Sequence, residues 1–394
     1  MKREFKNFCN YRLLFGISYS LMIPIIPLYF KSIGMTTVTI GMLMSLFGVA
    51  KTLIQVPAGV ISDKVGDKIS LTIGMLLMSF IPLGYIYSNG NLRIGIIYVM
   101  QGIILGMMAP ATYSVLSRSI DINRRGESTG LASAVFTIGG GIGAAVAGYI
   151  VNKLNDYNSV FYLAAIGIVI SLVYIILNIK KSKVIKKESK EKYKTIDIIK
   201  EIISKKLQYK IIVLGICAFL GDYIYSSIVG LFHFYGQEVL NVTTVYTSSI
   251  ISIYLIVFGL AAPIAGWVSD RIGNKKQLLI SLLSMNITLL ILVITRQICI
   301  FTFTIALYFL AATFLNAAVQ SSLSEFGKDY KIKGFIFGFV GASESLGSAI
   351  GPLISSYLYN INKSTLFTGA LIVSVIITAI LVKFYNKIRE LRMG

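Results

Sequence analysis

The chain has 394 residues, 55% of them hydrophobic and only 14% charged, with a mean hydropathy of +0.77; an average soluble domain is roughly 25% charged. That composition excludes a soluble globular protein and places the chain in a membrane. The formal net charge of +20, from 37 Lys and Arg against 17 Asp and Glu, is then a topology signal and not a sign of nucleic acid as a partner, because cytoplasmic loops concentrate Lys and Arg.

A helix needs about 20 apolar residues to cross roughly 30 Å of hydrocarbon. In chain order such segments fall at 12–30, 39–61, 70–88, 93–115, 129–151 and 159–179, then at 210–232, 244–268, 277–295, 298–320, 335–358 and 365–385. Their continuous apolar runs exclude the alternation of a β-barrel, and backbone in lipid must satisfy its own hydrogen bonds, so all are expected to be helices. The first segment leads straight into the others and does not read as a cleaved signal peptide. With both termini in the cytoplasm, 31 of the 37 basic residues lie on that side. Lys31, Arg93, Lys153, Arg296 and Lys363 fall on the other side, and Lys51 falls within a helix.

Between Lys180 and Lys210 the apolar pattern stops, and twelve lysines stand against four acids, in part along the amphipathic run TIDIIKEIISKKL. This reads as a solvated cytoplasmic linker, with attraction to anionic lipid as the alternative. It divides the chain into a six-helix bundle (1–179), a basic linker (180–209) and a second six-helix bundle (210–394). Cys9, Cys217 and Cys299 have no metal-like spacing and read as small packing residues. His233, between Phe232 and Phe234, reads as an interfacial aromatic-belt position.

The two halves are copies. Gly59, Asp63 and Gly66 return 207 positions later as Gly266, Asp270 and Gly273. Independently, Gly126, Gly130, Gly139 and Gly143 return after 208 as Gly334, Gly338, Gly347 and Gly351. Two unrelated patterns with nearly one offset indicate a duplicated six-helix unit, an arrangement that places a binding site at the midplane between the repeats.

The pattern Gly-x-x-x-Asp-(Lys/Arg)-x-Gly-x-(Lys/Arg), formed by Gly59, Asp63, Lys64, Gly66 and Lys68 and repeated by Gly266, Asp270, Arg271 and Gly273, resembles the signature loop of the major facilitator superfamily. Pro24 and Pro27 in the first segment, and the ladder Gly130, Gly139, Gly143 and Gly148 in the fifth, are similar to motifs of its twelve-helix drug/proton antiporters. The resemblance implies an all-α membrane protein of twelve transmembrane helices in two pseudo-symmetric six-helix bundles. Two positions depart from that pattern. Ala144 replaces a proline that appears instead in the second half as Pro352, and before Gln101 and Gly102 stands Tyr98, where the antiporters carry an arginine tied to proton coupling.

In the turn itself, Gly66 permits the tight reversal, and Lys64 and Lys68 hold it at the cytoplasmic surface. By the resemblance, Asp63 meets the positive start of the eleventh helix near Gly334, and Arg118 completes a charge relay that exists only while the cytoplasmic side is closed. The copy around Asp270 and Arg271 acts in the same way on the fifth helix near Gly126. The alternative is a turn that fixes topology and has no part in a transport cycle. Gly139, Gly143, Gly347 and Gly351, with Pro352, are expected where helices approach closely.

A charge at the centre of a membrane helix costs about 2.5 to 3.5 kcal/mol, so each one invites a reason. Lys51, Asp222 and Glu344 all lie at similar depth. Lys51 and Glu344 are expected to pair between the halves, which leaves Asp222, with Tyr225 and Ser226 on its face, as the proton or cation carrier. A plain hydrogen bond of Asp222 within its bundle is the alternative. Gln101, Asn316 and Gln320 are cavity or interhelical groups. Tyr19, Tyr223, Tyr225 and Tyr254 fit an amphipathic pocket.

The expected function is proton-coupled export of a small amphipathic or cationic compound by alternating access across a plasma membrane, with a bacterial inner membrane favoured. A lipid or lysolipid flippase, or a proton-coupled nutrient symporter, is the alternative on the same scaffold. A transport-inactive receptor fits less well, since both charged turns are intact. No enzyme activity, metal or cofactor is expected, the proton gradient supplying the energy. The partners are the small-molecule substrate and membrane lipids, and the protein is expected to be a monomer.

Overall fold

The computed structural model describes residues 3–119, 125–180, 195–326 and 332–385. These form fourteen helices: α1 (Arg3–Ser20), α2 (Ile25–Ser32), α3 (Thr37–Val65), α4 (Asp67–Tyr87), α5 (Asn91–Ser119), α6 (Arg125–Leu154), α7 (Asn158–Asn178), α8 (Thr195–Ser204), α9 (Gln208–Glu238), α10 (Thr244–Ile272), α11 (Asn274–Ile294), α12 (Ile298–Glu325), α13 (Lys333–Ile361) and α14 (Thr365–Phe384). The start of α1, the turns at Gly66 and Gly273 and the end of α14 share one face, called here the terminal face. The turns after α2, α4, α6, α9, α11 and α13 form the distal face.

The first segment is not the single helix 12–30 read from the sequence. It starts at Arg3 and breaks at residues 21–24 into α1 and α2. Pro24 and Pro27 are the cause, since neither has an N–H to donate back along the helix. Such a break within the membrane is tolerated where the freed backbone is covered by protein or faces a cavity, and Ser20, Ile23, Ile26 and Pro27 all line the cavity described below.

Eleven spans are long and apolar enough to cross a membrane, with α1 and α2 counted as one. α13 has the length but not the apolarity. It carries Glu344 and a run of Gly and Ser because it packs against α3 and α9 and faces the interior, so little of it needs to match lipid. Of the linker, α8 is described and residues 181–194 lie outside the described part. Asp156 starts α7 by accepting from the N–H groups of Asn158 (3.0 Å) and Ser159 (2.8 Å), and the Ser159 hydroxyl holds its carboxyl below the usual range.

In the first bundle α1 packs on α6 and α7, and α5 packs on α3 and α4; in the second, α13 packs on α9, and α12 on α10 and α11. The bundles meet along two antiparallel seams, α3 with α13 and α6 with α10. Inside each bundle glycines let backbones touch. A Cβ at Gly139 or Gly143 on α6 would meet the carbonyl oxygens of Leu13 or Ile17 on α1, and one at Gly347 or Gly351 on α13 would meet those of Phe219 or Tyr223 on α9. The four contacts are related by the duplication and give close helix approach its atomic content.

Candidate functional site

A cavity of about 1020 Å³ lies between the bundles. Its limits follow from the two seams. On the distal side they are tight: Gly41 and Gly48 of α3 abut Ser356 and Ala349 of α13, and Gly141 and Gly148 of α6 abut Ile256 and Ser248 of α10. Toward the terminal face they part. Gly338 and Gly341 of α13 line the cavity with no atom within 4 Å of an added Cβ, and Gly130 and Gly266 likewise meet nothing. The molecule is therefore closed distally and open toward the terminal face.

Lys51, Gln101, Asp222, Tyr225, Asn316 and Glu344 all line this cavity. Lys51 comes from α3 in the first bundle, Asp222 and Glu344 from α9 and α13 in the second, all near mid-helix. The expected Lys51–Glu344 ion pair is not formed at 4 Å. Lys51 interacts electrostatically with Asp222 first and Glu344 second, and Glu344 Oε1 instead accepts from Gln320 Nε2 at 3.3 Å. Both acids line the same cavity as Lys51, so its charge is shared between two carboxylates and bonded to neither. The Asp222 carboxylate makes no hydrogen bond or ion pair among the described residues. Its backbone carbonyl, by contrast, accepts from the Ser226 hydroxyl at 2.6 Å.

Around these charges the wall is aromatic. Tyr225 stacks on Tyr254 with centroids 5.0 Å apart, and Phe309 meets Tyr254 edge-on at 4.8 Å. Tyr98 stacks on Phe47 at 4.8 Å and meets Phe30 edge-on at 5.2 Å. Gln101 is interhelical glue: it is buried, accepts from Tyr85 Oη at 2.6 Å and donates to Tyr19 Oη at 3.4 Å, so it joins α4, α5 and α1. Asn316 faces the cavity without a hydrogen-bond partner among the described residues.

At the terminal face Gly66 and Gly273 adopt φ of 101° and 86°, the left-handed region that favours glycine. Lys64 is exposed, and Lys68 Nζ donates to the Ile176 carbonyl at 2.7 Å. Arg118 pairs within its own bundle. Its Nε lies 2.8 Å from Oδ2 of the buried Asp67, and its Nη2 donates to the Lys180 carbonyl at 2.7 Å. Asp67 sits directly after the turn glycine, in the first turn of α4, which packs on α5 and so brings it to Arg118. The side chain of Asp63 and the surroundings of Gly126 and Gly334 lie outside the described residues. In the second copy Asp270 is exposed, and Arg271 lies over the Trp267 ring at 3.9 Å.

Several residues escaped the sequence reading. Asp67 occupies a variable position of the loop pattern, and its counterpart 207 residues on is Asn274. Arg118 maps in the same way to Glu325, which pairs with the buried Lys210 at 2.6 Å and accepts from Asn274. Following the offset beyond the glycines would have exposed this exchange of charge. Arg12, the first residue of the segment 12–30, lines the cavity, 3.8 Å above the Phe136 ring. His233 is fully buried, not interfacial, with Nδ1 2.6 Å from Thr247 Oγ1, because α9 is covered by α10 at that level. Cys9 and Cys217 are buried and Cys299 is exposed. Among the described residues no group of three or more His, Cys, Asp or Glu is placed to hold a metal ion.

Two bundles, a central cavity and duplicated glycine turns agree with what this chain is similar to. It is 24% identical over 365 residues to multidrug resistance protein 2 of Bacillus subtilis (strain 168), covering 90% of this chain and 88% of that protein. It is 22% identical over 403 residues to the quinolone resistance protein NorA of Staphylococcus aureus (strain COL), covering 100% of both. Among solved structures, the nucleoside transporter NupG superposes with a TM-score of 0.78 at 14% identity, over 96% of this chain and 99% of that one. The family model of the Major Facilitator Superfamily matches residues 11–328 and 211–391. With that match spanning both bundles and the cavity between them, the chain belongs to the Major Facilitator Superfamily and is a multi-pass membrane protein.

Proposed function

We propose that the protein is a secondary active transporter that exports a small amphipathic or cationic compound in exchange for protons, by rocking its bundles about the cavity. The observation that carries this reading is Asp222, a carboxylate without a hydrogen-bond partner, on a tyrosine-rich wall within electrostatic reach of Lys51. A lone acid in that place can take a proton or a cationic group in turn, and the stacked Tyr225 and Tyr254 offer aromatic faces to a cation. The two bacterial relatives, multidrug and quinolone resistance proteins by name, support the direction and the substrate class. The energy comes from the proton gradient, with no cofactor. One chain encloses the cavity, so a monomer suffices. The distribution of Lys and Arg supports a cytoplasmic side for the terminal face and both termini, and the bacterial relatives support an inner membrane.

The test is efflux of a fluorescent cationic dye from cells with and without a proton uncoupler. Asp222→Asn is expected to abolish gradient-driven efflux while dye binding to the purified protein stays measurable. Driven efflux that survives the substitution removes Asp222 from the mechanism. Tyr98 in the arginine's place favours a second reading, a lipid or lysolipid flippase, with nutrient symport beside it. Lipid scrambling in vesicles without dye movement supports that alternative.

A further inference from the structure

The distal face is closed by charge as well as by packing. Glu238, at the end of α9, forms ion pairs with Lys31 near the end of α2 and with Lys363 in the turn after α13 (3.0 Å), and it accepts from Tyr359 Oη at 3.3 Å. Lys31 also lies over the Phe234 ring, 4.7 Å from its centroid. Lys31 belongs to the first bundle; Glu238, Phe234, Tyr359 and Lys363 belong to the second. One carboxylate thus has a partner across the divide and two on its own side.

Lys31 and Glu238 also stand 207 positions apart, the spacing of the duplicated turns. They are equivalent positions of the two repeats that carry opposite charge. Equivalent positions can touch only near the axis that relates the repeats, so the pair sits where the bundles separate when the distal face opens. On opening, Lys31 must leave both Glu238 and Phe234. A carboxylate stripped of all partners would oppose that movement strongly, but Lys363 and Tyr359 travel with Glu238 and keep it paired.

We propose that Glu238 is a shared gate anion: Lys31 holds the distal face shut, while Lys363 and Tyr359 hold the same carboxylate once it opens. The two lysines, bonded to one carboxylate, therefore act in opposite directions on the gating equilibrium. This rests on the alternating-access reading but not on the identity of what is carried, and its test needs no substrate.

The test reads distal accessibility. Ile23, in the unwound segment between α1 and α2, lines the cavity and serves as the reporter. Ile23→Cys, in a chain with Cys9, Cys217 and Cys299 changed to Ser, is labelled in sealed vesicles by a membrane-impermeant maleimide added on the distal side. Lys31→Gln is expected to raise the labelling rate about two- to five-fold, the range that an exposed ion pair supplies, and Lys363→Gln to lower it by a similar factor. The double variant returns toward the parent rate. Both lysines are solvent-exposed, and unchanged melting temperatures confirm intact folds. Two shifts of the same sign, or no shift from Lys31→Gln, overturn the gate. Absence of distal labelling in every variant, the parent included, overturns alternating access itself and the gate with it.

Discussion

Arg118 and Asp67 show what a single buried pair does in this molecule. Asp67 is 3% exposed and holds the first turn of α4 to the end of α5, with Ser114 Oγ donating at 3.2 Å to the same Oδ2 that Arg118 Nε meets. Removing one partner of a buried pair costs about 3–5 kcal/mol, because the other charge stays buried and uncompensated. Asp67→Asn or Arg118→Leu alone is therefore expected to lower the melting temperature in detergent sharply, and the double change to recover much of the loss. Equal losses in single and double variants would show that the charges do not depend on each other. At this scale the sequence was legible in part. Lys51, Asp222 and Glu344 announced themselves as charges in apolar runs, since burying each is costly. Asp67, Glu238 and Arg12 did not, because a charge at a helix end carries no such penalty until packing covers it.

Among the elements, the glycines divide by what they touch. Gly143 brings α6 against the Ile17 carbonyl of α1, and an added methyl has only backbone to displace. Gly48, on the seam between the bundles, would meet Ala349 at an ordinary 3.5 Å. Gly143→Ala is expected to destabilise by about 1–3 kcal/mol, whereas Gly48→Ala is expected to be neutral or to gain up to about 1 kcal/mol from helix propensity. Thermal unfolding of the two purified variants separates these outcomes, and equal effects would deny that the ladder is a packing device. The glycine spacing was readable in the sequence, and so were Pro24 and Pro27. That the prolines split one crossing into α1 and α2 was not, because a proline in a membrane helix kinks or breaks it according to what its neighbours offer the freed carbonyls.

For the molecule as a whole, the seams state a register. On α3 and α13, Gly41 lies against Ser356 and Gly48 against Ala349; continuing that antiparallel pairing places position 63 opposite 334. The α6 and α10 contacts continue in the same way to 126 and 270. Both charged turns thus fall at the ends of the seams that are parted here, and on the proposed cycle they meet when the terminal face closes. An anion at a helix N-terminus contributes about 0.3–2 kcal/mol, so Asp63→Asn is expected to insert normally and to shift the population toward the open terminal face by about two- to thirty-fold. Cysteine accessibility from the terminal face and transport rates together check it. Normal insertion with unaltered transport would leave the turn a topology device only.

By itself the sequence determined the membrane class, the count of crossings and the duplication, because apolar length and repeat spacing are properties of the chain read along one dimension. Only the tertiary structure decided that the cavity opens to the terminal face, that Lys51 stands off from Glu344, that Arg118 turns to Asp67 and that Lys31 reaches Glu238 across the bundles. The Arg118–Asp67 pair depends on how α4 packs on α5 and the others on how two six-helix units are tilted against one another, and both are set by contacts between residues far apart in the chain.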